Sequence, residues 1–261
     1  MQTKQPKQQK IFLGSNKDIP IKKSWGQNFI IDDNTIKKII RIIKPHKDEH
    51  IIEIGPGRGA LTISLLKKVK KITALEIDPL LTEYLNKKNL SNLELYNIDF
   101  LKWEPDFKNT KRVIGNLPYY ISSPIIFNLI ENKCFSEIII MVQKELALRL
   151  IAKPNTKDYS RMSVVAQTFC NISYETDISK NIFLPKPKVD SSIVKLTKKK
   201  TNLNIQDYSA FIKQCFISRR KKIKNNLKVM IDNKSLDFLG NKRPEDLSIS
   251  EYIDIFNKYS F

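Results

Sequence analysis

Residues 51–59 read IIEIGPGRG. The run Ile51 to Ile54 has the composition of a short buried strand, and the glycines follow it at once. Behind them Leu61, Leu65, Leu66 and Val69 recur at helical spacing. A strand that passes through a glycine turn into a helix is the opening unit of a nucleotide-binding α/β fold. Gly55 and Gly57 let the backbone turn tightly and approach a ligand, and Gly59 allows close helix packing. The spacing is GxGxG rather than GxGxxG, and no GKS or GKT follows, which excludes a phosphate loop. Glu53 ends the strand. It can accept a hydrogen bond from an ammonium or fix the loop through its amides, whereas a pyrophosphate gains nothing from its charge.

Working outward, Asp33 is a candidate cap for a helix carrying Ile36, Ile39, Ile40 and Ile43, with Pro45 marking its end. Ile72 to Ile77 reads as a second strand, and Pro79 suits the first turn of the helix behind it. LELYN at 93–97, RVIG at 112–115 and EIIIMVQ at 137–143 read as further strands. Ser122 or Ser123 can cap the helix containing Phe127, Leu129 and Ile130. Helical patterns follow at 144–151 and 159–169. This alternation predicts an α/β fold, a mostly parallel sheet with helices on both faces. ISYETDI at 172–178 and SSIVKL at 191–196 suit an antiparallel edge on that sheet. Past a linker at 197–204, helical patterns at 205–217, 219–230 and 250–258 predict a small helical domain. The expected division is a loose basic arm over 1–20, a catalytic domain over 21–198 and a helical domain over 199–261.

Composition narrows the function. The chain has 261 residues, with 46 Lys plus Arg against 27 Asp plus Glu, a formal charge of +19. That balance favours a polyanionic partner. Cys134, Cys170 and Cys215 are too widely spaced for a disulfide framework or a zinc signature. His46 and His50, the only histidines, sit in a polar linker, which argues against a His-centred catalytic triad. The first twenty residues lack the apolar run of a signal peptide, and no stretch is long and apolar enough to span a bilayer. A reducing, cytoplasmic protein without membrane contact is expected.

Two further strand ends complete a cofactor pocket. Glu76 ends the second strand, where a carboxylate takes the two ribose hydroxyls of a nucleotide, and Ile77 can lie against an adenine. Asp99 follows the third strand and can accept from an adenine amino group beside Phe100; its alternative use is a loop cap. Together with the glycine loop these describe a pocket for S-adenosylmethionine. After the fourth strand come Asn116, Leu117, Pro118 and Tyr119. The Asn116 side-chain carbonyl and the Leu117 backbone carbonyl can hold an exocyclic NH2 with its lone pair aimed at an incoming methyl. Pro118 restrains the loop, and Tyr119 supplies a flat face for a base.

GQNF at 26–29, EIGPGRG at 53–59, NLPYYISSP at 116–124 and FLPKPKVDS at 183–191 stand in one order along the chain. So do QKE at 143–145, RMSVVAQ at 161–167, FISRRK at 216–221 and RPEDLS at 243–248. From about residue 20 to the end, the chain resembles the ribosomal RNA adenine N6,N6-dimethyltransferases, most of all the bacterial small-subunit type. The resemblance implies a Rossmann-like class I S-adenosylmethionine-dependent methyltransferase that needs no metal and releases S-adenosylhomocysteine. The implied substrate is a pair of adjacent adenosines near the 3′ end of 16S rRNA in the immature small subunit, and a monomeric enzyme is expected. It implies that Gln27, Asn28 and Phe29 wall the methionine side of the cofactor, that Gly55 and its loop hold the methionine, and that Tyr119 and Phe183 sandwich the target adenine. Tyr120 stands where the family often has a smaller polar residue, and the segment 228–242 is short for the family.

The run Arg219, Arg220, Lys221, Lys222 and Lys224 reads as a basic helical face able to contact RNA phosphates. The lysines at 4, 7, 10, 22 and 23 are a second candidate contact. Three other readings share parts of this pattern: a DNA adenine methyltransferase, a large-subunit rRNA adenine N6-methyltransferase conferring antibiotic resistance, and a non-catalytic RNA-binding assembly factor. The complete set of acceptors, aromatics and cofactor carboxylates argues against the last.

Overall fold

The computed structural model describes residues 19–22, 25–105, 112–232 and 234–259. Most of the expected basic arm, including Lys4, Lys7, Lys10 and also Lys23, lies outside these residues.

Side-chain alternation in the first long strand, β2 (His50–Ile54), divides the core. Ile51 faces one apolar cluster and Ile52 and Ile54 face another, as the two-residue period of a strand requires. Each fully buried isoleucine contributes about 1.5–3 kcal/mol. The partners of β2 are β3 (Lys71–Glu76) and β5 (Arg112–Asn116), both parallel to it. Outside them lie β4 (Leu93–Asn97) and β6 (Glu137–Gln143), again parallel. The last two strands are β7 (Cys170–Ile178) and β9 (Ser191–Lys198). The seven-stranded order is β4-β3-β2-β5-β6-β9-β7. The antiparallel edge is present as expected, with β9 inserted between β6 and β7.

Helices α1 (Asp33–Ile43) and α2 (Ala60–Leu66) cover one face of the sheet. On the other, α4 (Ser122–Glu131), α5 (Lys144–Leu150) and α6 (Arg161–Phe169) share a continuous core with α7 (Ile205–Cys215), α8 (Ile223–Leu227) and α9 (Ile249–Tyr259). Helix α3 (Pro79–Asn86) starts at the expected proline, capped by Asp78, whose side chain accepts from the Leu80 amide. A separate two-stranded ladder joins β1 (Phe29–Ile30) to β8 (Phe183–Leu184).

Two expected caps move. Asp32, not Asp33, caps α1, because its extended backbone lets the carboxylate reach the Thr35 amide. Neither Ser122 nor Ser123 caps α4; its cap position is Ile121, and the Ser122 hydroxyl turns back to the Pro118 carbonyl at 2.8 Å.

The order along the sheet reverses between β2 and β5. Loops leaving the carboxyl ends of these two strands therefore diverge and open a crevice, the usual ligand position in such sheets. The glycine loop and the Asn116–Tyr119 loop are those two connections.

Candidate active site

The glycine loop is held by its neighbours. The Gly55 amide donates to the Leu75 carbonyl at 2.9 Å, and the Gly57 amide donates to Glu76 Oε2 at 3.0 Å. Gly57 has φ +58°, and a Cβ there would stand 3.1 Å from the Phe29 ring. The expected tight packing at Gly59 is also present, since a Cβ would come 2.7 Å from Leu85 Cδ2.

The two strand-end carboxylates are held differently. Glu76 fixes the loop, accepting from Gly57 and, through Oε1, from the Asp78 amide at 3.0 Å. Burial holds its carboxyl above the ordinary range, with those amides opposing the shift. Glu53 does not fix the loop amides, which are spent on Leu75, Glu76 and Pro56. It is 3% exposed, and its Oε2 has no hydrogen-bond partner among the described residues. Burial pushes its carboxyl up to about 7, and the Glu76 charge adds to this. The Thr62 hydroxyl beside it pulls the other way without reaching hydrogen-bond geometry. A buried acceptor in the lining of a cleft suits a ligand ammonium.

Asp78, absent from the sequence reading as a site residue, organises the wall opposite. It accepts from Lys22 Nζ at 2.9 Å and from Gln27 Nε2 at 2.8 Å. Burial alone would raise its carboxyl; the Lys22, Gln27 and Leu80 bonds outweigh this and hold it below the ordinary range. Lys22 is thus committed to Asp78, not free as a second RNA contact, and its Nζ also lies 4.2 Å above the Trp25 ring. Phe29 lies under Arg58, whose guanidinium carbon is 4.8 Å from the ring centre.

At the acceptor side, Asn116 Nδ2 donates to the Asn28 carbonyl at 2.9 Å. An oxygen there would face another oxygen, so the amide is oriented with Oδ1 left to accept. The Leu117 amide donates to Met141, and the Pro118 carbonyl is taken by Ile121 and Ser122. No donor among the described residues takes the Leu117 carbonyl. Two acceptors, Asn116 Oδ1 and Leu117 O, are therefore adjacent and uncommitted. The Tyr119 hydroxyl shares a 2.7 Å hydrogen bond with Ser191 Oγ. Burial raises its pKa, with the Asp190 charge adding to the shift.

One cleft gathers Gln27, Asn28, Phe29, Glu53, Gly55, Gly57, Glu76, Ile77, Asp99, Phe100, Asn116, Leu117 and Pro118. Asp99 is both things at once: it lines this cleft, and one oxygen caps the Leu101 amide at 3.0 Å. Gly59, Tyr119 and Phe183 stand outside the lining. Phe183 is 2% exposed, because β8 pairs with β1 and turns it into the core beside Ile30. Tyr120, by contrast, lines the cleft and is 57% exposed, its ring against Gly26.

The basic run is not a helical face. Arg219 to Lys222 lie in the turn between α7 and α8, and only Lys224 is helical. Successive like charges weaken a helix, and Arg219 is drawn instead to Glu245, with Nε 2.7 Å from Oε2. Arg220, Lys221 and Lys222 are exposed.

S-Adenosylmethionine fits this crevice: Glu53 Oε2 is an orphan acceptor for an ammonium, and glycine at 57, with its positive φ, leaves the loop uncrowded against Phe29. The fold and the site together define a Rossmann-like methyltransferase of the S-adenosylmethionine-dependent class. The chain belongs to the ribosomal RNA adenine dimethylase family, whose model matches residues 19–260. It is 43% identical over 246 residues to the ribosomal RNA small subunit methyltransferase A of Mycoplasma mobile, covering 90% of this chain and 96% of that one. The protein of the same name from Borreliella afzelii is 43% identical over 251 residues, covering 92% and 89%. Among solved structures, a dimethyladenosine transferase from Plasmodium falciparum superposes with TM-score 0.78 at 28% identity, covering 89% of this chain and 98% of that one. The 23S rRNA methyltransferase ErmE superposes with TM-score 0.68 at 26% identity, covering 90% and 100%.

Proposed function

We propose that this chain dimethylates N6 of two adjacent adenosines near the 3′ end of 16S rRNA, acting on the immature small subunit as a cytoplasmic monomer without a metal. The observation that carries this reading is the uncommitted acceptor pair, Asn116 Oδ1 and Leu117 O, at the switch point of the sheet. We assign the chemistry to residues 21–198 and RNA contact to residues 199–261.

S-Adenosylmethionine, when bound, supplies a methyl made electrophilic by its sulfonium. The protein positions the nucleophile. Asn116 Oδ1 and Leu117 O accept the two amino hydrogens of the adenine, which favours a pyramidal nitrogen with its lone pair free. Tyr119 offers a ring face for the base, and its hydroxyl is tethered to Ser191. Well-oriented reactants recover about 7–11 kcal/mol of barrier in favourable cases, so orientation alone is a large share of the task. The amino proton becomes acidic only as transfer proceeds, and no strong base is needed. Glu76 is suited to the ribose hydroxyls, Asp99 and Ile77 to the donor's adenine, and Glu53 to its ammonium.

Incubation with labelled S-adenosylmethionine and unmethylated small subunits, followed by mapping of the methylated nucleosides, tests the reading. Dimethyladenosine at two neighbouring positions near the 16S 3′ end is expected. Label confined to 23S rRNA would favour the large-subunit reading, and cofactor binding without transfer would favour an assembly factor.

A further inference from the structure

A second cleft opens where α4, α5, α6 and the turn after α7 meet. Ser123, Phe127, Arg149, Lys157, Arg161 and Arg219 contribute to its walls. Ser123 follows Tyr119 by four positions. At no more than about 3.6 Å per residue, the chain keeps Ser123, at the edge of the cleft, within about 14 Å of Tyr119, Cα to Cα.

The charges in this cleft are unequally satisfied. Arg149 is paired with Glu145 and Arg219 with Glu245, each at 2.7 Å. Arg161 forms no ion pair among the described residues. Its guanidinium carbon lies 4.4 Å from the centre of the Phe127 ring, and one Nη donates to Ser209 Oγ at 3.1 Å. Its Nε is buried with no hydrogen-bond partner among the described residues. A guanidinium carries five donors in a fixed fork, so most of this one is unused while the ring holds its plane. Burial lowers its pKa, and the Glu131 charge offsets only part of that shift; a bound anion would offset more. Lys157 adds a second positive charge, against the single unpaired carboxylate of Asp158. The cleft is left net positive.

We propose that this cleft is a phosphodiester-binding subsite in which Arg161 takes an RNA backbone phosphate flanking the adenosine delivered to Asn116. The inference rests on the rRNA reading above and adds a contact outside the basic run at 219–224. Arg161 is a positioning residue: it holds the strand in register while the base is turned into the crevice. Its planar fork suits two phosphate oxygens at once, and the Phe127 face keeps that fork from rotating.

The test uses the full chain with unmethylated small subunits, comparing Arg161→Met, Arg161→Lys and the exposed-site variant Lys157→Met. Arg161→Met should weaken subunit binding by about tenfold to a hundredfold, the loss of charged hydrogen bonds. It should also flatten the plot of log affinity against log salt by about 0.7–0.9, one phosphate contact. Arg161→Lys should keep the slope and lose part of the affinity. Lys157→Met should flatten the slope without disturbing the fold. S-Adenosylmethionine affinity by calorimetry should be native in all three. A native slope in Arg161→Met would overturn the subsite whatever Lys157→Met does, as would a site that inorganic phosphate occupies in the native chain while Arg161→Met leaves subunit binding unchanged. A native chain that binds subunits yet transfers no methyl would sink the function reading, with the slope difference still supporting the phosphate contact.

Discussion

Asn116 reaches across from the end of β5 to the backbone of Asn28, a 2.9 Å hydrogen bond that joins the acceptor side of the crevice to the wall expected to line the donor. One amide thus has two jobs: its nitrogen ties the walls together, and its oxygen is aimed by that tie. Asn116→Ala should keep the fold and most S-adenosylmethionine binding. Methyl transfer should fall about a hundredfold to a thousandfold, the scale for removing one preorganised polar partner from a reacting centre. Single-turnover kinetics on unmethylated subunits measures this, and a near-native rate would refute the amino-group clamp.

Tyr119 and Ser191 divide a different pair of duties. The ring is the stacking face, and the hydroxyl only steadies it. Tyr119→Ala should lose about 1–3 kcal/mol of base stacking, one to two decades in target capture. Tyr119→Phe should lose about 0.5–1.5 kcal/mol, a single neutral hydrogen bond to the buried Ser191. Binding and rate measured on both variants separate ring from hydroxyl; equal, complete losses would assign the hydroxyl a role in the reaction.

Glu76 is asked to hold the Gly57 amide and to meet the ribose. Glu76→Ala should weaken S-adenosylmethionine binding by about 1.5–3 kcal/mol. Glu76→Gln keeps one acceptor and should lose less. Calorimetry reads both, and native affinity in a folded Glu76→Ala protein removes the ribose assignment.

Glu53 sets a pH dependence. Its carboxyl stands at about 7 in the folded chain against an ordinary 4.5. Between those values the folded chain holds a proton that the unfolded chain has released. Stability of the cofactor-free protein therefore falls as pH rises from 4.5 through 7, by up to about 3 kcal/mol from this group. Glu53→Gln should level that part of the slope while leaving the contribution of Glu76, whose carboxyl is also raised by burial. Urea unfolding from pH 5 to 8 makes the comparison, and parallel slopes for both proteins would contradict it.

The sheet was legible because β2, β3, β5 and β6 are apolar runs ended by glycine, proline or polar turns, and strands buried on both faces look like that. The crevice was legible for the same reason: its residues sit at strand ends, which the runs locate. What escaped was whatever depends on a distant partner. A two-residue ladder has no period, so nothing in FI or FL announced the pairing that buries Phe183. The Lys22–Asp78 pair spans 56 positions, so nothing near Lys22 in the sequence shows that its charge is already matched. Arg219 was read as helical from its basic neighbours, whereas Glu245 decides its place. Asp99 shows the opposite case, where a turn residue and a pocket residue were weighed as rivals and one side chain serves as both.

The insertion of β9 between β6 and β7 has a consequence for synthesis. On the ribosome β7 emerges before the strand that must separate it from β6. Through that interval β6 presents Ile138 to Val142, all buried in the finished protein, along an edge without its final neighbour. An apolar unpaired edge invites the wrong strand, whether β7 of the same chain or β6 of another. The sheet closes only when residues 191–198 arrive, and with them comes Ser191, the tether of Tyr119. The same late strand that ends the danger of mispairing also brings the hydroxyl that steadies the Tyr119 ring, so the acceptor side of the crevice is the last part of the sheet's rim to be finished.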